Sequence, residues 1–96
     1  MGEVEMFGFT ADAATLIRSL VRRSGLDEGG GLRMSINPTR GSLAMSLAPG
    51  PDTTDYVFTH HDVSVFVASA AAARLNARTL DARVTDPSPA FFLLDS

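Results

Sequence analysis

Residues 63–81, VSVFVASAAAARLNARTLD, decide how the rest of this chain folds. Val63, Val65 and Val67 alternate with Ser64 and Phe66, the period of a strand that turns its valines to one side. Ser69 then precedes residues 70–75, an alanine-rich helical turn that a serine is suited to cap, and Asn76 is suited to a left-handed exit. Strand character resumes over residues 79–85. A strand, a helical turn and a second strand follow one another with almost no spacer, so the flanking segments must pack around this unit.

Toward the N-terminus, residues 55–59 form the partner strand of 63–67, with His60-His61-Asp62 as the turn between them. Pro49-Gly50-Pro51-Asp52 is a firm break, because proline cannot donate to a ladder and glycine permits reversal. Before it, Leu32, Met34 and Ile36 alternate with Arg33 and Ser35, and Leu43, Met45 and Leu47 alternate with Ser42, Ala44 and Ser46. Residues 37–41, NPTRG, are a turn by composition, so this is a hairpin with one buried and one more polar face. Met34 and Met45 are expected on the buried face as packing residues.

Thr10 is a good N-cap and Asp12 suits the first turn of a helix. Ala13, Leu16, Ile17, Leu20 and Val21 make an apolar stripe, Arg22 and Arg23 favour the carbonyl end, and Gly25 suits the closing left-handed position. The spacing predicts a helix over 11–23. Residues 1–8 read as a tether whose Phe7, with Phe9, docks on the body; residues 9–96 form a single domain. C-terminal to the opening stretch, Pro87-Ser88-Pro89 is a break and residues 90–94 a last strand. The expected class is α+β, strongly β: meandering strands, an N-terminal amphipathic helix and a second short helix.

Composition removes whole classes of function. The net charge is −3 and the eight cations, all arginine, are scattered. Phosphate affinity comes from clustered Lys and Arg, so no nucleic-acid partner is expected. The chain has no cysteine, which excludes disulfides, thiol catalysis and thiolate ligation of metals. No apolar run reaches 18 residues, so no membrane span is expected. The opening MGEVEMFGFT lacks the layout of a signal peptide, and Met6 stands where a myristoylation site needs Ser or Thr. Lysine-free, alanine-rich usage and this N-terminus point to a cytoplasmic, bacterial protein.

Few residues offer chemistry. His60, His61 and Asp62 are the only cluster of metal-ligand type, but neighbours in an extended segment point to opposite faces. One histidine at most then joins Asp62, and two ligands are not a zinc or iron site. Asp27-Glu28-Gly29-Gly30-Gly31 follows a helix, precedes a strand and carries two carboxylates, the wrong context for a phosphate loop. The serines show no nucleophile-elbow pattern and no two carboxylates are placed by motif. No catalytic, cofactor-binding or metal residue is assigned, and no cofactor is expected. Phe91-Phe92-Leu93-Leu94 does not alternate, as in strands buried on both faces or covered by a partner. Core packing and homo-oligomerisation through the C-terminal strand both account for it.

Over residues 9–92 the order of elements resembles the HesB-like family, the A-type iron–sulfur cluster carriers. The resemblance lies in the threonine-capped helix FTADAATLIRSLV, the strand opening Gly31-Leu32-Arg33, an aspartate-bearing turn, and above all Leu75, Thr79, Leu80 and Asp81. It implies the family's fold of two small packed sheets. The family's function rests on three cysteines. The first belongs inside the first hairpin, near Arg40 or Gly41 here, and the other two form a Cys-Gly-Cys pair in a tail beyond Ser96. None is present in this sequence, and no histidine stands in for the first. The expectation is a degenerate, non-catalytic relative that uses the scaffold to bind a protein partner. Metal binding through His60, His61 and Asp62 is the alternative, and an enzyme of unknown type the third.

Overall fold

The computed structural model describes residues 7–27, 29–84 and 89–95. The expected tether up to residue 6, Glu28, and residues 85–88 with most of the expected break lie outside the described residues. Thr10 begins α1, Ala11–Ser24, by accepting from the Ala13 N–H at 3.1 Å, and Gly25 ends it at φ 78°. Ala13, Leu16 and Ile17 are buried as the stripe requires, joined by Ala14.

Two hairpins form one four-stranded sheet. β2, Gly31–Ile36, pairs antiparallel with β3, Leu43–Ala48. β4, Tyr56–His60, pairs antiparallel with β5, Val63–Val67. The hairpins join through a parallel pairing of β2 with β5, giving the order β3-β2-β5-β4. A short 3₁₀ turn, Ser69–Ala71, leads into α2, Ala72–Leu75. β6, Arg78–Arg83, and β7, Ala90–Asp95, form a third hairpin, and β1, Gly8–Phe9, adds in parallel on the far side of β6. The second sheet is therefore β1-β6-β7. The three hairpins are the meandering strands of the sequence reading; the two parallel pairings are long-range joints that no local pattern announces.

The core lies between α1 and the inner faces of both sheets, with Ile17, Leu32, Met34, Val65, Val67, Leu75 and Leu80 almost fully buried. Phe7 and Phe9 dock there as expected, Phe7 edge-on to Phe58 at 5.2 Å. β2 and β5 are central and covered on both sides. Phe66, on the face away from the valines, is only 2% exposed because Arg33 and Val57 flank it in register and residues 52–55 fold over Arg33. Gly31 makes that central joint feasible. A Cβ there would stand 2.3 Å from the Ser64 carbonyl oxygen, so only glycine lets β2 start against β5.

Four local expectations are corrected. Ser69 is not a cap; Ala68 holds the position with no side-chain bond, anchored by its N–H to the Met34 carbonyl at 2.9 Å. The left-handed exit is Ala77, at φ 60°, whereas Asn76 keeps φ −61°. Met45 faces Met34 in register but is nearly half exposed, since β3 is an edge strand. Asp55 stays outside β4 because the turn from Asp52 uses both its N–H and its carboxylate. Among the described residues no helix is long and apolar enough to cross a membrane.

Candidate functional site

Three places carry polar side chains arranged by more than one element. The first is the β2–β3 loop. Asn37 closes it: its side-chain oxygen accepts from the N–H groups of Thr39 at 2.9 Å and Arg40 at 3.1 Å. The Asn37 N–H donates to the Ser42 carbonyl at 2.8 Å, and its carbonyl accepts from Gly41, which sits at φ 70°. The turn is complete in itself. Arg40 is exposed there and, with Gly41, stands near the place where the family resemblance puts a thiolate.

The second is the β4–β5 turn. His61 and Asp62 both have positive φ, 54° and 64°, between the paired residues His60 and Val63. This is a two-residue hairpin turn whose twist matches the strands. The left-handed step at His61 breaks strand alternation, so the histidines do not diverge as the extended geometry suggested. Both rings approach Phe9 edge-on, at 5.3 Å for His60 and 6.5 Å for His61. Arg18 of α1 donates to the His61 carbonyl and ties the turn to the helix. Asp62 instead lines an open groove of about 680 Å³ with Arg18, Arg22, Asp27 and Ser64. Among the described residues no three of His, Asp and Glu converge on a point where a metal ion would sit.

The third is a polar cluster that sequence reasoning missed. Arg33 on β2 makes a two-pronged contact with Asp55, Nε to Oδ2 and NH2 to Oδ1, both at 2.9 Å. Asp52 approaches NH2 at 3.1 Å, and its N–H donates to Asp55 at 3.0 Å. The Asp55 side chain is 0% exposed and that of Arg33 25%. The bond from Arg33 holds the Asp55 carboxyl below the usual carboxylate range, against the opposing effect of burial, and the Asp52 N–H adds to it. An arginine amid alternating strand residues, with Asp-x-x-Asp in the following turn, was the available signal. A related link joins the helix cap to β6: the Thr10 hydroxyl donates to Asp81 at 2.6 Å, and the Ala82 N–H donates to the same carboxylate at 2.8 Å. Those two bonds lower the Asp81 pKa, the Thr10 hydroxyl foremost. Among the described residues no buried side-chain nitrogen or oxygen lacks a hydrogen-bond partner, so the buried polar atoms of both clusters are engaged.

The chain has the HesB-like fold that the residue pattern suggested: one helix over a four-stranded and a three-stranded sheet, without a cysteine. Among solved structures, Escherichia coli SufA, which is involved in biosynthesis of iron–sulfur clusters, matches with TM-score 0.77 at 22% identity over 96% of this chain and 87% of that one. A protein from Aquifex aeolicus, solved by NMR, matches with TM-score 0.74 at 21% identity over 98% and 95%. IscA, crystallised with a 2Fe–2S cluster, matches with TM-score 0.68 at 20% identity over 94% and 85%. No protein-family model and no curated protein sequence matches the chain.

The residues present do not fit such a cluster. Cluster iron takes soft, anionic thiolates. Residues 37–42 offer hydroxyls, a carboxamide already bonded to its own loop, and a guanidinium.

Proposed function

We propose that this chain is a non-catalytic HesB-like domain that serves iron–sulfur cluster biogenesis as an accessory, binding a protein partner and no cluster. One observation carries the reading: the fold of SufA and IscA persists over at least 94% of the chain while no thiolate is available within it. A scaffold retained without its ligands keeps shape as its asset, and shape recognises proteins. The absence of a nucleophile–base pair among the described polar clusters supports a binding role over catalysis. A cytoplasmic, bacterial setting agrees with the solved relatives from Escherichia coli and Aquifex aeolicus and with the lack of a spanning helix among the described residues.

Anaerobic incubation with ferrous iron and sulfide tests it. The protein is expected to stay colourless after desalting, and a stoichiometric cluster with thiolate-like visible absorption would overturn the proposal. Affinity capture from the native cell is expected to retain iron–sulfur assembly proteins. Recovery of none of them would remove the accessory role.

A further inference from the structure

The outward face of α1 is cationic. Thr15, Arg18, Ser19, Arg22 and Arg23 recur at three- and four-residue spacing, so the helix brings all five to one side, opposite the stripe that packs on the core. They line a shallow depression of about 380 Å³, and no carboxylate lines it with them. Among the described residues none of these three arginines is in an ion pair, whereas Arg33 and Arg78 are. The remaining arginines, Arg40, Arg74 and Arg83, stand apart from one another, in the β2–β3 loop, on α2 and at the end of β6.

Attraction to the carbonyl end of the helix accounts for Arg22 and Arg23 but not for Arg18, which lies mid-helix. One guanidinium of the face is already positioned. Arg18 donates to the His61 carbonyl and, among the described residues, its other N–H groups are left for a further acceptor. Arg18 and Arg22 leave the helix one turn apart, about 6 Å. Beyond them the surface changes sign, because Asp27 and Asp62 line the open groove toward the β4–β5 turn. An anion is therefore held on the outer face of α1 rather than drawn into that groove. With the three arginines set aside, the rest of the chain has five cations against eleven anions. That remainder repels a nucleic-acid strand, which needs a longer track of cations, whereas a short acidic segment fits within the face.

We infer that this face docks an acidic segment of a partner protein, a helix whose carboxylates repeat four residues apart and so match the one-turn spacing of Arg18 and Arg22. Each guanidinium can take a carboxylate in a two-pronged contact, as Arg33 takes Asp55 within the chain. Arg23 adds a third charge beside them, and Thr15 and Ser19 add hydroxyls. The contact is exposed, so it is weak by itself and salt-sensitive, and it sets encounter rate and orientation more than affinity. This docking rests on the partner-binding role proposed above and gives that role a surface and a partner chemistry.

Titrating the isotope-labelled protein with a helical peptide that bears glutamates four residues apart tests the docking by nuclear magnetic resonance. Shifts are expected on residues 15–23 and on the side-chain N–H signals of Arg18, Arg22 and Arg23, and they are expected to fade as salt rises from about 0.05 to 0.5 M. The same peptide with glutamine for glutamate is expected to give none. Arg22→Gln with Arg23→Gln alters exposed side chains outside the core, so its circular dichroism is expected to match wild type while the peptide dissociation constant rises about tenfold. Arg22→Lys with Arg23→Lys keeps the charge and is expected to keep most of the affinity. Absent shifts at millimolar peptide, or equal shifts in the glutamine variant, overturn the docking. Matching shifts from inorganic phosphate alone, or tighter binding of a single-stranded RNA, overturn it as well. Capture from the native cell separates this face from the accessory role. Assembly proteins retained by wild type and lost by the glutamine variant support both; equal retention by the two upholds the role and overturns the face. Recovery of none, with the peptide still binding, removes the role and leaves the face.

Discussion

Replacing Asp55 with alanine removes the carboxylate that Arg33 grips on the outer face of the four-stranded sheet. Three bonds vanish: two from the guanidinium at 2.9 Å and one from the Asp52 N–H at 3.0 Å. Breaking a buried ion pair from one side costs about 3–5 kcal/mol, because the remaining charge is stranded. Here Arg33 keeps 25% exposure and retains Asp52 at 3.1 Å, so water and a second carboxylate recover part of that loss. The expected cost is about 2–3 kcal/mol. Urea denaturation followed by far-ultraviolet circular dichroism reads it. A urea slope of about 1 kcal/mol/M gives a midpoint about 2–3 M lower. Acid has the same target. The folded Asp55 carboxyl titrates below its unfolded value of about 3.9, so the unfolded chain binds the proton first as pH falls. The pair's contribution is complete above pH ~4 and is lost as pH falls through the lower folded pKa. The gap between wild type and Asp55→Asn is therefore expected to narrow on acidification below that point. An apolar double variant, Arg33→Met with Asp55→Leu, is expected to recover most of the single-variant loss. An Asp55→Ala cost under about 0.5 kcal/mol, the range of an ordinary exposed ion pair, would refute the reasoning.

Gly31→Ala drives a Cβ to within 2.3 Å of the Ser64 carbonyl oxygen, so it is expected to destabilise by about 3 kcal/mol in the same assay; a tolerated alanine would mean that β2 and β5 separate easily. Ala77→Gly relieves a left-handed alanine at φ 60° and, after the added freedom of the unfolded chain, is expected to stabilise by about 0.5–1 kcal/mol. Thr10→Val removes the α1 cap and is expected to cost about 1–2 kcal/mol in thermal unfolding, with Thr10→Ser close to wild type. Zinc titration by calorimetry is expected to give the same weak heats for the wild type and for the double substitution His60→Ala, His61→Ala; a stoichiometric site lost in the variant would restore the metal-binding alternative.

Elements with a short-range cause were legible in the residue pattern. The α1 stripe, its Thr10 and Gly25 ends, the polar turn at 60–62 and the alternation of β2 and β5 each depend on neighbours within a few positions. Turn chemistry was harder. Residues 60–62 contain neither glycine nor asparagine, so the two left-handed residues that turn both rings onto Phe9 left no mark in composition. Ala77 took the left-handed position that Asn76 suits, because the start of β6 is set by its pairing with β7 rather than by preference at the turn. The Arg33–Asp55 clasp spans 22 positions and comes together only when the turn after β3 folds back over β2.

By itself, then, the sequence determined the class of fold, the amphipathic helix, the first two hairpins and the absence of thiolates, since all of these depend on residue type and local period; the pairing of β6 with β7 came from the structure. Tertiary structure alone decided which hairpins became neighbours. The parallel contact of β2 with β5 requires a glycine whose necessity appears only when Ser64 lies 2.3 Å from its missing Cβ. It also decided which half of Phe91-Phe92-Leu93-Leu94 went inside. A run of four apolar residues has no period, and only pairing with β6, on a sheet covered on one face, assigns Phe91 and Leu93 to the core and leaves Phe92 and Leu94 in water.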